Sequence, residues 1–311
     1  MITLTILGNN SALPAYDRSP TAQLVEVRDQ MFMIDCGEGT QMQMQKHQIG
    51  WKKINHIFIS HLHGDHYFGL VGFLTTMNLL GRTTELHLYG PPELKSILFH
   101  QIRVGGGNLA YPFKFHPIKN TGEAKVLFED KYCKVSCFPV IHRIACHGFV
   151  VTSKSTGRKI IPEECQAYSI PNYYYAKLKE GLDYQNKEGE IIKNEWVTED
   201  ANPEISYAYC ADTLYTDSFH PYIQNCNAIY HESTYLKEHS DKATERFHST
   251  AEQAAMTAKQ VNTKLLLLGH YSSRYEDVTV FEEEAKTIFE NSIATKSGDV
   301  FEFKNEKKTK L

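Results

Sequence analysis

No stretch of this chain carries 18 consecutive apolar residues, so nothing in it reads as a membrane span. Its first residues, MITLTILGNNS, lack the basic leader of a secretory signal and read instead as a first strand. Cysteine pairs at CxxC spacing are absent. Seven cysteines, an odd number, are scattered along the sequence, which fits reduced thiols in a cytoplasm better than a disulfide framework. A strong charge of one sign is lacking too: 33 basic against 37 acidic side chains leave a net −4. That balance neither suggests nor excludes a nucleic-acid partner, because electrostatic footprints are local and a bound metal would add positive charge. No internal repeat is evident. What remains is a chain of 311 residues, 41% hydrophobic, enough for one large core or two small domains.

Strands and helices are mixed along it. MITLTILG, AQLVEVRD and QMFMIDCGEG read as strands, the last two joined by a tight turn at Asp29-Gln30. KINHIFISH is mostly apolar, as a strand covered on both faces would be. YFGLVGFLTTMNLLGR has helical length and ends at Gly81, and ELHLYGPPELKSILFHQIR gives strand, Gly-Pro-Pro turn and helix. YCKVSCFPVIH, GFVVTSKS, ISYAYCAD, NAIYHES and TKLLLLGH are further strands. STAEQAAMTAKQV is a helix with Ser249 or Thr250 as its cap, VTVFEEEAKTIFENS is another, and the basic tail KNEKKTKL reads as frayed. Residues 154–189 break the pattern with scattered prolines, glycines and five tyrosines, which marks an insertion within one domain of residues 1–311.

The chemistry gathers where apolar runs stop. In FISHLHGDHYFGL, His61 and His63 stand two apart, where side chains of an extended segment project to one side. Gly64 frees the backbone, and Asp65 and His66 follow, able to face a second ion. One loop cannot complete two coordination shells, and zinc prefers imidazole and carboxylate donors. The remaining candidates are His142 after CFPVI, Asp212 after SYAYCA and His270 after LLLLG. Asp212 suits a bridge, since a carboxylate has two oxygens. His56, His87 and His100 show no such clustering in sequence.

These residues, read with their neighbours, make the chain resemble the metallo-β-lactamase-fold hydrolases, and within them the short form of the ribonuclease Z family. The HxHxDH run SHLHGDHYFGLVG alone indicates only the superfamily, whereas IDCGEGTQMQ with HSTAEQAA is far more specific. LGNNSALPAYDRSP with Pro14 and Arg18, HRIACHGF, CADT, HEST and HYSSR fit the later motifs in order over nearly the whole chain. The resemblance implies an α/β fold, an αββα sandwich of two mixed sheets flanked by helices. It implies two Zn²⁺ per subunit, with Mn²⁺ or Fe as alternatives: one held by His61, His63 and His142, the other by Asp65, His66 and His270, and Asp212 between them. It further implies a homodimeric, cytoplasmic endoribonuclease acting on precursor tRNA by two-metal phosphodiester hydrolysis, leaving a 3′-hydroxyl on the tRNA and a 5′-phosphate on the trailer.

Other roles follow from the same resemblance. His248 corresponds to the histidine at the scissile phosphate and is expected to protonate the leaving oxygen, with Glu232 orienting it and Asp65 accepting a hydrogen bond from the nucleophile. Ser249 and Thr250 either present helix amides to a phosphate or simply cap the helix. Arg274 either pairs with a phosphate or makes a surface ion pair. The insertion corresponds to an arm that grips tRNA, with Lys154, Arg158, Lys159, Lys177 and Lys179 as its cations and Tyr173, Tyr174 and Tyr175 as aromatic contacts. It departs from the family pattern in keeping only Pro171 of a Gly-Pro-rich tip, and Met42 stands where a basic residue is common. A lid or dimer-packing insertion is the plainer reading of the same segment. Two further readings stay open: a two-metal hydrolase of small phosphodiesters, and a metal-structured nucleic-acid-binding protein without turnover.

Overall fold

The structure, a computed structural model, describes residues 1–304, so the tail read as frayed lies outside the described residues after Lys304. The chain opens with an antiparallel meander, β1 (Ile2–Gly8), β2 (Ala22–Val27) and β3 (Gln30–Cys36). The turn between the last two falls at Arg28-Asp29, one residue earlier than expected, with Arg28 at φ 54° taking the left-handed position. Gln30 already pairs with Val27. After α1 (Thr40–Lys46) comes β4 (Ile54–Phe58), then α2 (Gly64–Tyr67) and α3 (Leu70–Leu79). The single helix expected over Tyr67–Gly81 is thus two. Gly69 separates them because it packs on the turn after β3: a Cβ there would sit 2.1 Å from the Gly37 carbonyl oxygen. β5 (Leu86–Gly90), α4 (Glu93–Val104) and β6 (Phe113–Pro117) follow.

β7 (Lys125–Glu129), β8 (Cys133–Val140) and β9 (Cys146–Ser153) begin a second sheet. The inserted segment then folds around its own small core of Cys165, Ile170, Leu178, Ile192 and Val197. It contains β10 (Lys159–Ile160), α5 (Pro162–Ala167), α6 (Tyr175–Lys179), β11 (Tyr184–Gln185), β12 (Ile191–Ile192), α7 (Asn194–Val197) and β13 (Thr198–Glu199). Because β10 pairs with β13, the segment set apart in sequence at 154–189 closes only at Glu199. The chain returns through β14 (Ile205–Tyr209), α8 (His220–Ile223), β15 (Ala228–Glu232), α9 (Ser240–Glu245), α10 (Ala251–Gln260), β16 (Leu266–Gly269), α11 (Thr279–Lys286), β17 (Ser292–Ala294) and β18 (Val300–Phe303).

Each of the two main sheets has seven strands and mixed pairing, in the orders β18-β1-β2-β3-β4-β5-β6 and β17-β16-β15-β14-β9-β8-β7, and the inserted segment adds two-stranded pairs β10-β13 and β11-β12. Alternation along the strands builds the layers. Ile2, Leu4 and Ile6 of β1, and Phe32 and Ile34 of β3, meet Val135, Phe149, Val151, Tyr207 and Tyr209 of the second sheet in one buried cluster. Met31 and Met33 of β3 point the other way, onto Leu70, Phe73, Leu74 and Met77 of α3 and Leu94 and Leu98 of α4. α10 and α11 cover the second sheet. This is the αββα sandwich of the metallo-β-lactamase fold. Among the described residues no helix is long and apolar enough to cross a membrane, and all seven cysteines are free and buried.

The histidines without clustering in sequence prove to cluster in space. Parallel pairing puts His56 of β4 opposite His87 of β5, rings stacked at 4.8 Å, and His116 of β6 stacks on His87 at 5.2 Å. Phe128, from the other sheet, closes over His56 at 4.3 Å; His100 lies exposed on α4. Burial first, then the charges of His87 and His116, push the His56 imidazolium down to about 4, against the opposing pull of Asp130. Between pH ~6.5 and that value the unfolded chain binds the extra proton, so stability is complete above pH ~6.5 and is lost as pH falls toward 4, by up to about 3 kcal/mol. His56→Phe is expected to remove this part of the acid sensitivity. Urea unfolding of both proteins in chelator between pH 5 and 7 checks it, and parallel pH dependences would refute it.

Candidate metal centre

Five of the seven candidate ligands, His61, His63, His142, Asp212 and His270, lie in the loops that follow β4, β8, β14 and β16, and the other two, Asp65 and His66, lie in the short helix α2 after β4. The backbone bends sharply to aim them: Ala211, just before Asp212, and His270 itself adopt left-handed φ of 47° and 60°. Conformations of this kind cost about 1–3 kcal/mol and persist where their surroundings over-determine them. Here the paired strands and buried neighbours do so. Gly37 lets the turn after β3 come within contact of the Asp65 backbone, where a Cβ would lie 2.4 Å from its carbonyl oxygen.

The structure brings His61, His63, His142 and Asp212 together in one group and Asp65, His66 and His270 in another. Hydrogen bonding at the back of each ring decides what its front offers. His66 Nδ1 donates to Asp35 Oδ2 at 2.7 Å. His142 Nδ1 donates to the Phe247 carbonyl at 2.9 Å. His61 Nδ1 reaches Ser60 Oγ at 3.0 Å, and that hydroxyl in turn donates to Asp35 Oδ2 at 2.8 Å. His270 Nδ1 reaches Thr234 Oγ1 at 2.9 Å, and that hydroxyl donates to Glu232 Oε2 at 2.8 Å. With every Nδ1 carrying a proton, the neutral form of each of the four rings presents an Nε2 lone pair inward; at His66 burial opposes the charge, but Asp212, Asp65 and Asp35 outweigh it and hold the imidazolium well above its ordinary range.

Those lone pairs face one another and the carboxylates. His61 Nε2 and His142 Nε2 lie 3.0 and 3.1 Å from His63 Nδ1, and His66 Nε2 lies 3.3 Å from His270 Nε2. Asp212 turns Oδ2 toward His61 Nε2 at 3.6 Å, and Oδ1 toward His66 and His270 at 3.4 and 3.3 Å. Oδ1 is buried without a hydrogen-bond partner. Acceptors so arranged repel unless cations lie between them, so the residues fit two ions, one per group, with an oxygen of Asp212 for each. Protons do not serve instead at the first group. Burial and the neighbouring His66 hold His61 well below the ordinary imidazole range, and burial and His142 push His63 down to about 4. Zinc suits these donors, although imidazole and carboxylate also bind manganese and iron.

His248 stands beside this centre. Its ring lies 5.1 Å from that of His142 and 5.4 Å from that of His270, and one of its nitrogens is within 4.8 Å of ligand atoms of Asp212 and His270. Its Nδ1 donates to Glu232 Oε1 at 2.8 Å. Burial opposes ionisation of both partners, but each outweighs it for the other: His248 is raised and Glu232 lowered. The Ser249 hydroxyl donates to the Thr213 carbonyl, and Thr250 caps α10 in a reciprocal capping box with Gln253. Both side chains are thereby used within the fold. Arg274 is exposed, and among the described residues its guanidinium makes no hydrogen bond or ion pair. On the inserted segment, Lys154 pairs with Glu129 and Arg158 with Asp200, whereas Lys159, Lys177 and Lys179 are exposed.

Sequence reasoning did not single out Asp35, Ser60, Tyr209 or Thr234. Asp35 also accepts the Ser60 amide at 2.8 Å and the Tyr209 hydroxyl at 2.7 Å. Its signal was the one that exposed Asp212 and His270: a polar residue near the end of an apolar strand. The N-terminal loop adds a backbone contact, with the Ala12 amide donating to Asp65 Oδ2 at 2.7 Å. Elemental analysis of protein purified without chelator should approach two metal equivalents per chain. At a hundred times Kd each ion should raise the unfolding free energy by about 2.7 kcal/mol. Asp212→Ala should weaken both sites and most of that gain. A single ion giving the full gain would contradict the two-site geometry.

Comparison with known proteins extends this geometry. Residues 2–187 match the family model described as Anti-Pycsar protein Apyc1. Ribonuclease Z of Bacteroides fragilis is 41% identical over 293 residues, covering 94% of this chain and 96% of that one. Ribonuclease Z of Porphyromonas gingivalis is 42% identical over 289 residues, covering 93% and 95%. Among solved structures, the short form of human tRNase Z superposes with a TM-score of 0.70 at 23% identity, covering 96% of this chain and 98% of its own. The metallo-β-lactamase fold protein YhfI of Bacillus subtilis gives 0.68 at 18% identity, covering 96% and 98%. At those identities the superpositions speak to the fold alone.

Proposed function

The chain belongs to the ribonuclease Z family, and on that premise we propose that it is a metal-dependent endoribonuclease that removes the 3′ trailer of precursor tRNA. The observation that carries this reading is the likeness to ribonuclease Z relatives over almost the whole chain. The centre supports a two-ion, zinc-type site with His61, His63 and His142 for one ion, Asp65, His66 and His270 for the other, and Asp212 shared. Ions there would supply Lewis acidity toward the scissile phosphate and lower the pKa of the attacking water.

The protein's own groups do the rest. Hydrolysis breaks the bond from phosphorus to the 3′-oxygen and forms one to the water oxygen, so the departing 3′-oxygen needs a proton. His248 is poised to give it: Glu232 holds Nδ1–H and favours the imidazolium, leaving the other nitrogen to donate. Burial opposes ionisation of Asp65, but His66 and His270 outweigh it and keep that side chain a carboxylate, able to accept a hydrogen bond from the nucleophile. Arg274, exposed and without an internal partner, is available to a phosphate. Ser249 and Thr250 then contribute through backbone position rather than through their hydroxyls.

A homodimer is part of the same reading. The outer face of α1 and α3 exposes Met42, Leu79 and Leu80 around a groove of about 630 Å³ lined by Met44, Trp51, Phe73 and Met77, an apolar surface suited to a second copy. Free cysteines and a tRNA substrate fit a cytoplasmic enzyme. For the inserted segment, Lys159, Lys177, Lys179 and Lys187 are the cations left to meet RNA. Over residues 154–200 nine carboxylates outnumber seven cations, and Lys154 and Arg158 are paired internally. That balance favours, as a second reading, a hydrolase of small phosphodiesters.

Metal-replete protein given a 3′-extended precursor tRNA should release one trailer bearing a 5′-phosphate and leave a 3′-hydroxyl on the tRNA. Turnover of bis(p-nitrophenyl) phosphate with an intact precursor would instead establish the small-diester reading. His248→Ala should slow single-turnover cleavage by about 10²–10⁴-fold, the usual worth of general acid catalysis, with metal content unchanged in the same preparation. A normal single-turnover rate would remove His248 from the chemistry.

A further inference from the structure

The hydrogen bonds behind the metal centre repeat one device. Asp35 holds His66 directly, Oδ2 to Nδ1 at 2.7 Å, and holds His61 through the Ser60 hydroxyl, with steps of 2.8 and 3.0 Å. Glu232 holds His248 directly, Oε1 to Nδ1 at 2.8 Å, and holds His270 through the Thr234 hydroxyl, with steps of 2.8 and 2.9 Å. Each buried carboxylate governs two imidazoles, one in contact and one through a hydroxyl. In the first case both imidazoles belong to the proposed metal ligands. In the second, one belongs to the metal and the other to the group that supplies the proton.

Thr234 is almost wholly buried, at 3% exposure, and its hydroxyl has a single proton. The short contact to Glu232 Oε2 takes that proton, because a carboxylate only accepts. The oxygen then accepts Nδ1–H of His270, which excludes the tautomer with its proton on Nε2. Partners behind metal-binding histidines act in this way, fixing tautomer and ring orientation and raising basicity. Glu232 does not depend on this hydroxyl for its own place, since it also accepts the amides of Thr213 at 3.2 Å and Thr234 at 3.0 Å.

We propose that Thr234 is a positioning residue of the second ion site: its hydroxyl sets the His270 tautomer and ties that ligand to the carboxylate that orients His248. The proposal rests on the reading of His270 as a metal ligand. Its consequence is asymmetric. Thr234→Val keeps the volume and the backbone amide; His248 Nδ1 loses only its longer contact to the hydroxyl, 3.2 Å, and keeps its 2.8 Å bond to Glu232, whereas His270 loses its acceptor and can turn its proton inward.

The test is competition for zinc against a chromogenic chelator, resolving two sites, on intact wild-type, Thr234→Val and Thr234→Ser proteins. Val is expected to weaken one of the two sites by about 10–100-fold, the usual cost of removing such a partner. The other site should be unmoved, and Ser, which restores the hydroxyl, should return wild-type affinity. A purely structural defect would weaken both sites and would not be rescued selectively by Ser; that result overturns the proposal. So does a Val variant with two wild-type sites. Failure of the wild-type protein to bind a second ion would overturn the two-ion reading itself and the proposal with it, and is distinguished by being seen before any substitution.

Discussion

Two carboxylates buried in the sandwich, Asp35 and Glu232, organise everything around the metal centre. An unpaired carboxylate at such a depth would be costly, and burial is tolerated only where hydrogen bonds and opposite charge compensate. Asp35 receives a backbone amide, two hydroxyls and an imidazole. Glu232 receives two amides, a hydroxyl and an imidazole. Satisfying these acids forces the rings behind which they sit to carry their protons on Nδ1, and so turns a row of lone pairs toward one small volume. The candidate metal centre is thus a consequence of how the interior resolves its polar groups, an arrangement that cations would complete.

The two seven-stranded sheets supply the convergence. β4, β8, β14 and β16 end on the same rim, and the chain leaves three of the strands that feed the site through left-handed residues, Asp35, Ala211 and His270, at φ of 56°, 47° and 60°. Side-chain direction at the rim is therefore set by the sheets and not by the loops themselves. His248 reaches the same rim from the other direction, before a helix whose capping box fixes its start. The candidate ligand His270, through Thr234, and His248 are held by different elements but share Glu232, which would link metal binding to proton delivery in the proposed function.

Much of this was legible in the sequence. The seven ligand candidates could be read because each is a coordinating residue at or just beyond the end of an apolar run, and strand order then brings those ends together. The capping role of Thr250 was legible because Gln253 stands three residues on. Asp35, Ser60, Tyr209 and Thr234 were not, since their roles depend on contacts between segments as far apart as Asp35 and Tyr209. The His56, His87 and His116 stack escaped for a related reason: parallel register across β4, β5 and β6 is not written in any one of them. Hydrophobicity continues across Gly69 and so implies a single helix over Tyr67–Gly81, while the reason for its break lies in the loop after β3. The cations named in the inserted segment misled because its acids outnumber its cations over residues 154–200 and Lys154 and Arg158 are already paired.

Two ion sites that share Asp212 are the centre of the proposed function. Crystals of metal-replete protein, measured on either side of the zinc absorption edge, test this directly. Two anomalous peaks per chain are predicted, one among His61, His63, His142 and Asp212 and one among Asp65, His66, His270 and Asp212. A single peak at the centre, or ions bound only elsewhere such as at the stacked pair His87 and His116, would contradict it.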